Sequence, residues 1–176
     1  MKIFNRHERK ISAPPAEVGS LLDTLSGPSD RLWPVEDWPP MKFDALLQEG
    51  ARGGHGPVRY RVTEYAPGRR VVFQFDSDGL TGGLDGRHFF EVVPRRDYTV
   101  LRHVVDAACD FRTWAKWRIL IEPLHDALIE DAFDRVEKKL HGMLAKRAQW
   151  SLWVRFLRKM RGRKSHRKQQ GILSGN

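Results

Sequence analysis

Residues 53–75, GGHGPVRYRVTEYAPGRRVVFQF, decide the fold. Within them Val58, Tyr60 and Val62 alternate with Arg59, Arg61 and Thr63, and beyond Ala66-Pro67-Gly68-Arg69 the residues Val71, Phe73 and Phe75 alternate with Val72, Gln74 and Asp76. Neighbouring side chains on a strand point to opposite faces, so two such runs about a Pro-Gly turn predict an antiparallel hairpin with one dry face. Pairing Tyr65 with Arg70 sets Val62 against Phe73 and Tyr60 against Phe75 on that face, and Arg59 against Asp76 on the wet one. A second hairpin is expected from 86–93 and 98–107 about Pro94-Arg95-Arg96-Asp97. Pairing Val93 with Tyr98 places Phe90 opposite Leu101 and His88 opposite His103, so both histidines share a face with Phe90, Val92, Leu101 and Val105. A slip of one residue would exchange the faces.

Working outward, residues 3–11 read as a strand, and Ser12-Ala13-Pro14-Pro15-Ala16-Glu17 has the prolines suited to a helix's first turn. Val18, Leu21, Leu22 and Leu25 recur at helical spacing until Gly27-Pro28, and a second short helix is expected over 29–33. A proline-rich crossing with Trp33, Trp38 and Met41 follows, its tryptophans read as core or rim packing. After Asp110 the period becomes helical for a long way. Trp117, Leu120, Ile121, Leu124, Leu128, Ala132, Val136, Leu140, Met143 and Leu144 form one stripe, opposed by Glu122, Asp126, Glu130, Asp134 and Lys138. Pro123 is expected to kink this helix or mark its true first turn. So wide a stripe needs one large apolar partner, and the concave face of the sheet is the one available. The fold class is therefore α+β, a curved antiparallel sheet gripping a long C-terminal helix.

The chain has 176 residues and one cysteine, Cys109, so no intrachain disulfide can form. Met1-Lys2-Ile3-Phe4 does not begin the apolar run of a signal peptide, and the cytoplasm is the expected compartment. The net charge of +9 divides unevenly: residues 1–137 hold 19 basic against 22 acidic residues, a balance of −3, whereas residues 138–176 carry +12 with no acid at all. The cationic character thus belongs to the end of the chain. Without a base-reading module beside it, nucleic acid is disfavoured as a partner. A domain of this size is roughly 37 Å across, and a helix from Leu124 crosses it in about 25 residues. Everything beyond about Ala148 must overhang or turn away, which divides the chain into a domain over 1–147 and a basic tail over 148–176. In that tail Trp150, Trp153, Val154, Leu157 and Met160 lie on one side, widened by Leu152 and Phe156, and Ser151, Arg155, Arg158 and Lys159 lie opposite. Such a segment suits an anionic membrane surface, through Trp150, Trp153, Arg155, Leu157, Arg158 and Lys159, or a partner's groove. The alternative is that its tryptophans fold back on the domain and 161–176 are disordered.

The succession of strand, two short helices, antiparallel meander and long final helix resembles the START-like, or SRPBCC, superfamily, which includes polyketide cyclases and birch-pollen-allergen-like proteins. The resemblance covers roughly 3–147. The opening "ISAPPAEV" is similar to that family's strand-to-helix passage, and residues 53–75 with "GRHFFEVVP", "LRHVV" and "PLHDALIEDAFDRVE" look like a bacterial branch of it. It implies a hydrophobic cavity between sheet and long helix, used for lipids, polyketides or other apolar molecules. Only about six strands can be counted against the family's usual seven. Either 43–57 hides another strand or the cavity is reduced.

The expected lining is Tyr60, Val62, Phe73, Phe75, His88, Phe90, Leu101, His103, Trp117, Ile121, Leu124 and Leu128, and the expected partner is a hydrophobic small molecule. Glu64 and His125 are further polar candidates. A mostly apolar pocket with a few convergent polar groups is what small-molecule sites look like, and so is a core with satisfied polar residues. If the protein is an enzyme, His88 and His103 with Tyr60 are the candidates for acid–base work of a cyclase or dehydratase; otherwise the histidines bond to each other and to Tyr60. A third possibility is an interaction protein whose cavity is filled by its own aromatics. His125 could complete a three-histidine metal site, yet no spacing is that of a known zinc motif, so neither metal nor cofactor is expected. The segment 50–57, GARGGHGP, lacks both phosphate-binding fingerprints, and Gly53-Gly54 is read as a flexible lid or turn with His55 at a cavity mouth. Cys109 has no evident activating partner.

Overall fold

The computed structural model describes residues 1–144 and 147–160. Seven strands form one antiparallel sheet: β1 (Lys2–Ile11), β2 (Met41–Phe43), β3 (Arg52–His55), β4 (Val58–Ala66), β5 (Arg70–Phe75), β6 (Asp85–Pro94) and β7 (Thr99–Ala108), in the order β1-β7-β6-β5-β4-β3-β2. The seventh strand was indeed within 43–57. Strand β3 escapes sequence reading because it is four residues long and half glycine, and β-propensity is low there. Gly53 and Gly54 are strand residues and not a lid: a Cβ on Gly53 would stand 1.9 Å from the Lys42 carbonyl oxygen, so only glycine lets β2 come this close.

The first hairpin pairs Tyr60 with Phe75 and Val62 with Phe73 as expected, but a bulge between Val62 and Glu64 puts Ala66, not Tyr65, opposite Arg70. The second hairpin is displaced by two residues from the expected register. Pro94 faces Thr99, Val92 faces Leu101, Phe90 faces His103 and His88 faces Val105. A two-residue shift preserves every side chain's face, so His88 and His103 remain neighbours on the diagonal.

Helix α1 (Pro15–Leu22) has Pro15 at its start and buries Val18, Leu21 and Leu22. No helix forms over 29–33. The Asp30 carboxylate instead accepts from the backbone N–H groups of Ser26, Leu32 and Trp33, and those bonds hold a turn. After β7 the chain enters α2 (Phe111–Lys116), a π-helical turn (Trp117–Ile121) and α3 (Glu122–His141). Pro123 sits in the first turn of α3, and the wider turn before it accommodates a residue that cannot donate. The face of α3 bearing Leu124, Leu128, Ile129, Ala132, Phe133 and Val136 is buried in the core against the sheet.

Gly142, in the left-handed conformation at φ 76°, caps α3 and ends it. The chain returns to the body afterwards. Ala148 N–H donates to Asp134 at 2.6 Å, and a further helix over 152–160, α4, places Val154 and Leu157 in the main core. Residues 161–176, with most of the tail's cations, lie outside the described residues. No helix among the described residues is long and apolar enough to cross a membrane.

Candidate functional site

Between the concave face of the sheet and the final helices lies a cavity of about 70 Å³. The sheet contributes His55, Val58, Phe75, His88, His103 and Val105, and the π-turn and α3 contribute Trp117, Ile121, Leu124, His125, Leu128 and Ile129. Trp33, Trp38 and Pro39 from the crossing after α1, Pro57 from the turn between β3 and β4, and Leu80 and Thr81 from the 76–84 connection close the rest. Of the expected lining, Phe75, His88, His103, Trp117, Ile121, Leu124 and Leu128 are in place. Tyr60, Val62, Phe73, Phe90 and Leu101 are buried in the sheet-side core without reaching the cavity wall. Two of them pack on a residue of the wall instead: the Tyr60 ring meets His88 edge-on at 4.8 Å, and Phe73 stacks on His88 at 4.8 Å. Leu80 and Thr81 were not legible because their connection carries no period. His55 does border the cavity, against Trp33 at 4.8 Å.

His88 Nδ1 and His103 Nε2 are 3.3 Å apart, so one donates to the other. Neither is bonded to Tyr60. The Tyr60 hydroxyl, His88 Nε2, His103 Nδ1 and His125 Nε2 are all buried without a hydrogen-bond partner in the protein. Burial, reinforced by the other histidines, pushes the pKa values of His88 and His103 well below the usual imidazole range, and burial likewise lowers that of His125. All three are therefore neutral at pH 7. Burial holds the Tyr60 phenol well above its ordinary range, so it too is uncharged. Three residues of the wall, His88, His103 and His125, are thus neutral imidazoles that each keep one buried, unpaired nitrogen in an apolar setting.

Behind this wall, between β1 and α3, stands a charged cluster. His7 contacts Glu130 through Nδ1 at 2.8 Å and Asp126 through Nε2 at 3.0 Å, and Asn5 donates to Asp126 at 2.9 Å. Burial works against a charge on His7, but its bonds to the two carboxylates outweigh burial and raise its pKa to about 9. His125 Nδ1 makes a long contact of 3.5 Å with the same Asp126 oxygen. Donor atoms of His7, His125 and Asp126 all lie within 4.8 Å of one another, a set with the chemistry of a divalent-metal site. With both His7 nitrogens committed to carboxylates and the ring protonated, the set is an ion-pair network first. His88 and His103 take no part in it, so the three-histidine arrangement considered from the sequence does not form.

The tail residues separate into two groups. Trp150 donates from Nε1 to Asp131 at 2.8 Å, Leu157 is buried, and the Arg158 guanidinium lies over Trp150 at 3.9 Å and Trp38 at 4.3 Å. These face the body. Leu152, Trp153, Phe156 and Met160 are exposed, with Arg155 and Lys159 exposed beside them, and Trp153 is anchored by its Nε1 bond to the Ile119 carbonyl at 2.8 Å.

No family model matches the chain, nor does any curated protein. Solved structures do. A protein of Thermobifida fusca has 19% identity over 84% of this chain and 99% of its own, with a TM-score of 0.62. CalU16 of Micromonospora echinospora has 18% identity over 92% and 83%, at 0.53. Norcoclaurine synthase of Thalictrum flavum, described in complex with dopamine and hydroxybenzaldehyde, has 11% identity over 83% and 90%, at 0.57. At such identities the likeness is one of fold, and the fold is the helix-grip architecture expected from the START-like resemblance.

Proposed function

We propose that this helix-grip protein binds a small, mainly apolar molecule carrying one or two hydrogen-bonding groups, in the cavity between sheet and α3. The carrying observation is an apolar wall in which His88 Nε2, His103 Nδ1 and His125 Nε2 are buried and unpartnered. Leaving a buried polar group unpaired costs about 1–3 kcal/mol, and a ligand that pairs it recovers that cost. The cavity is well below the roughly 150 Å³ that accommodates benzene. A ring-sized guest therefore displaces the 76–84 connection, which is tied down by Leu80 N–H to the Pro57 carbonyl at 2.8 Å and by Lys116 Nζ to the Leu80 carbonyl at 2.7 Å. The norcoclaurine synthase of like fold is described with two single-ring phenols, guests of this scale. The test is a chemical-shift titration with single-ring aromatics. Saturable shifts at Ile121, Leu128 and Leu80 are expected; no saturable shift at any of them sinks the reading.

The exposed row Leu152, Trp153, Phe156 and Met160 beside Arg155 and Lys159 supports a second reading, contact with an anionic membrane surface through α4. Because Val154 and Leu157 belong to the core, removal of the tail would confound the test, and point substitutions are cleaner. The double change Trp153→Ser and Phe156→Ser is expected to reduce co-sedimentation with phosphatidylserine-containing vesicles at least tenfold. Unchanged binding rules this surface out.

A further inference from the structure

The cavity and the charged cluster are joined by a file of histidines. His88 Nδ1 is 3.3 Å from His103 Nε2; the His103 and His125 rings are 4.9 Å apart between centroids; His125 Nδ1 is 3.5 Å from an Asp126 oxygen. At the junction of His103 and His125, His103 Nδ1 and His125 Nε2 are both buried and unpartnered. At the file's other end stands His88, a residue of the cavity wall whose Nε2 is buried and unpartnered.

We propose that Asp126 sets the polarity of this file, so that His88 Nε2 meets the ligand as a bare lone pair and the cavity selects molecules that bring a hydroxyl or N–H to it. A carboxylate only accepts, so the nitrogen that bonds it must carry the proton, and His125 is fixed with hydrogen on Nδ1. A neutral imidazole has one hydrogen, which leaves His125 Nε2 an acceptor. In the proposed file its donor is His103 Nδ1, likewise unpartnered, on the ring 4.9 Å away between centroids. His103 Nε2 then accepts, His88 Nδ1 donates to it, and His88 Nε2 is left without hydrogen. Neutrality of all three rings is a condition of this logic, and their burial supplies it. Asp126 is kept ionised by the groups around it: burial opposes the charge, but hydrogen bonds from His125, His7 and Asn5 hold its carboxyl well below the usual range. His88 is thus the specificity-determining residue and Asp126 a positioning residue acting through two rings.

This inference deepens the ligand-binding reading and rests on it for its second half only. The first half is tested on the unliganded full chain, labelled with nitrogen-15 and observed at pH 7 through long-range proton–nitrogen correlations of the imidazoles. The expected result is hydrogen on Nδ1 of His88, His103 and His125. Hydrogen on Nε2 of His88, the pattern that follows if a water donates to both His103 and His125, overturns the proposal. The second half compares phenol with toluene, two probes of similar size. Phenol is expected to bind at least tenfold more tightly, with its main nitrogen shift at His88 Nε2, and Asp126→Ala is expected to lower that preference severalfold. Equal binding of the two overturns the selectivity, and an undiminished preference in Asp126→Ala overturns the role of Asp126. Binding of neither defeats the ligand-binding reading while leaving the tautomer result to stand by itself.

Discussion

His7 and His88 are the same side chain in one protein core, and their surroundings drive them in opposite directions. His7, between β1 and α3, has two carboxylates on its ring and is charged at neutral pH. His88, facing the cavity from β6, has only other aromatic rings, Phe73, Phe75, Tyr60 and His103, and is neutral. Burial penalises the charged form of both; what differs is whether an anion repays it. The lesson is a division of labour across α3. The Asp126–Glu130–Asp134 edge clamps the helix to β1 by charge, and the Leu124–His125–Leu128 edge keeps a dry wall whose polar atoms are left for something else.

The most damaging way to break that division is to take Arg9 away from the clamp's anions. Arg9 reaches Glu130 at 2.8 Å, Asp134 at 3.0 Å and Glu137, and Asp134 is almost fully buried. Substitution Arg9→Leu removes the ion pairs of Asp134 and Glu137 and leaves Glu130 with His7. A loss of about 3 kcal/mol is expected, since removing one partner of a buried pair strands the other. Urea denaturation measures it, and a loss under about 1 kcal/mol would show that solvent, not Arg9, neutralises this edge.

Part of the comparison was legible in the sequence. Alternation about Pro67-Gly68 located β4 and β5 and brought Val62 to Phe73, because period two is a strong constraint when one face is buried. The same constraint cannot detect a slip of two, which is why His88 was paired with His103 instead of Val105, with both still on the right face. The stripe from Trp117 to Val136 and the position of Pro123 identified the gripped helix. Cavity depth was not readable. It depends on how far Trp33, Trp38 and Leu80 reach in from segments with no period, and on Phe90 and Leu101 packing within the sheet-side core. The charged cluster was not legible as a unit because β1 and α3 are more than 100 residues apart, and in the sequence His7 and Asp126 each read as side chains facing water. Fold-back of the tail's tryptophans was one of the two alternatives the sequence left open, but the end of the helix at Gly142 was not legible, because helical spacing continues through Met143 and Leu144 while one glycine ends the helix.

A smaller and more discriminating effect is the dependence of stability on pH. The raised pKa of His7 means that its contribution is complete below about 6.5, the unfolded value, and is lost as pH rises toward about 9. For His88, His103 and His125 the folded values are lowered, so the sign reverses: their contribution is present above about 6.5 and lost as pH falls below it. One proton changes stability by at most about 1.4 kcal/mol per pH unit. The expected profile therefore peaks near pH 6.5, with an alkaline limb of one proton and an acid limb of up to three. The lowered carboxyls of Asp126 and Glu130 add to the acid limb only below about pH 4. Denaturant midpoints between pH 5 and 9 separate the contributions. In His7→Leu the alkaline limb should flatten and the acid limb remain; in His103→Leu the acid limb should become shallower by up to one proton while the alkaline limb is untouched. If His103→Leu instead alters the alkaline limb, the two regions titrate as one, and the wall and the clamp are not the separate environments that their opposite shifts imply.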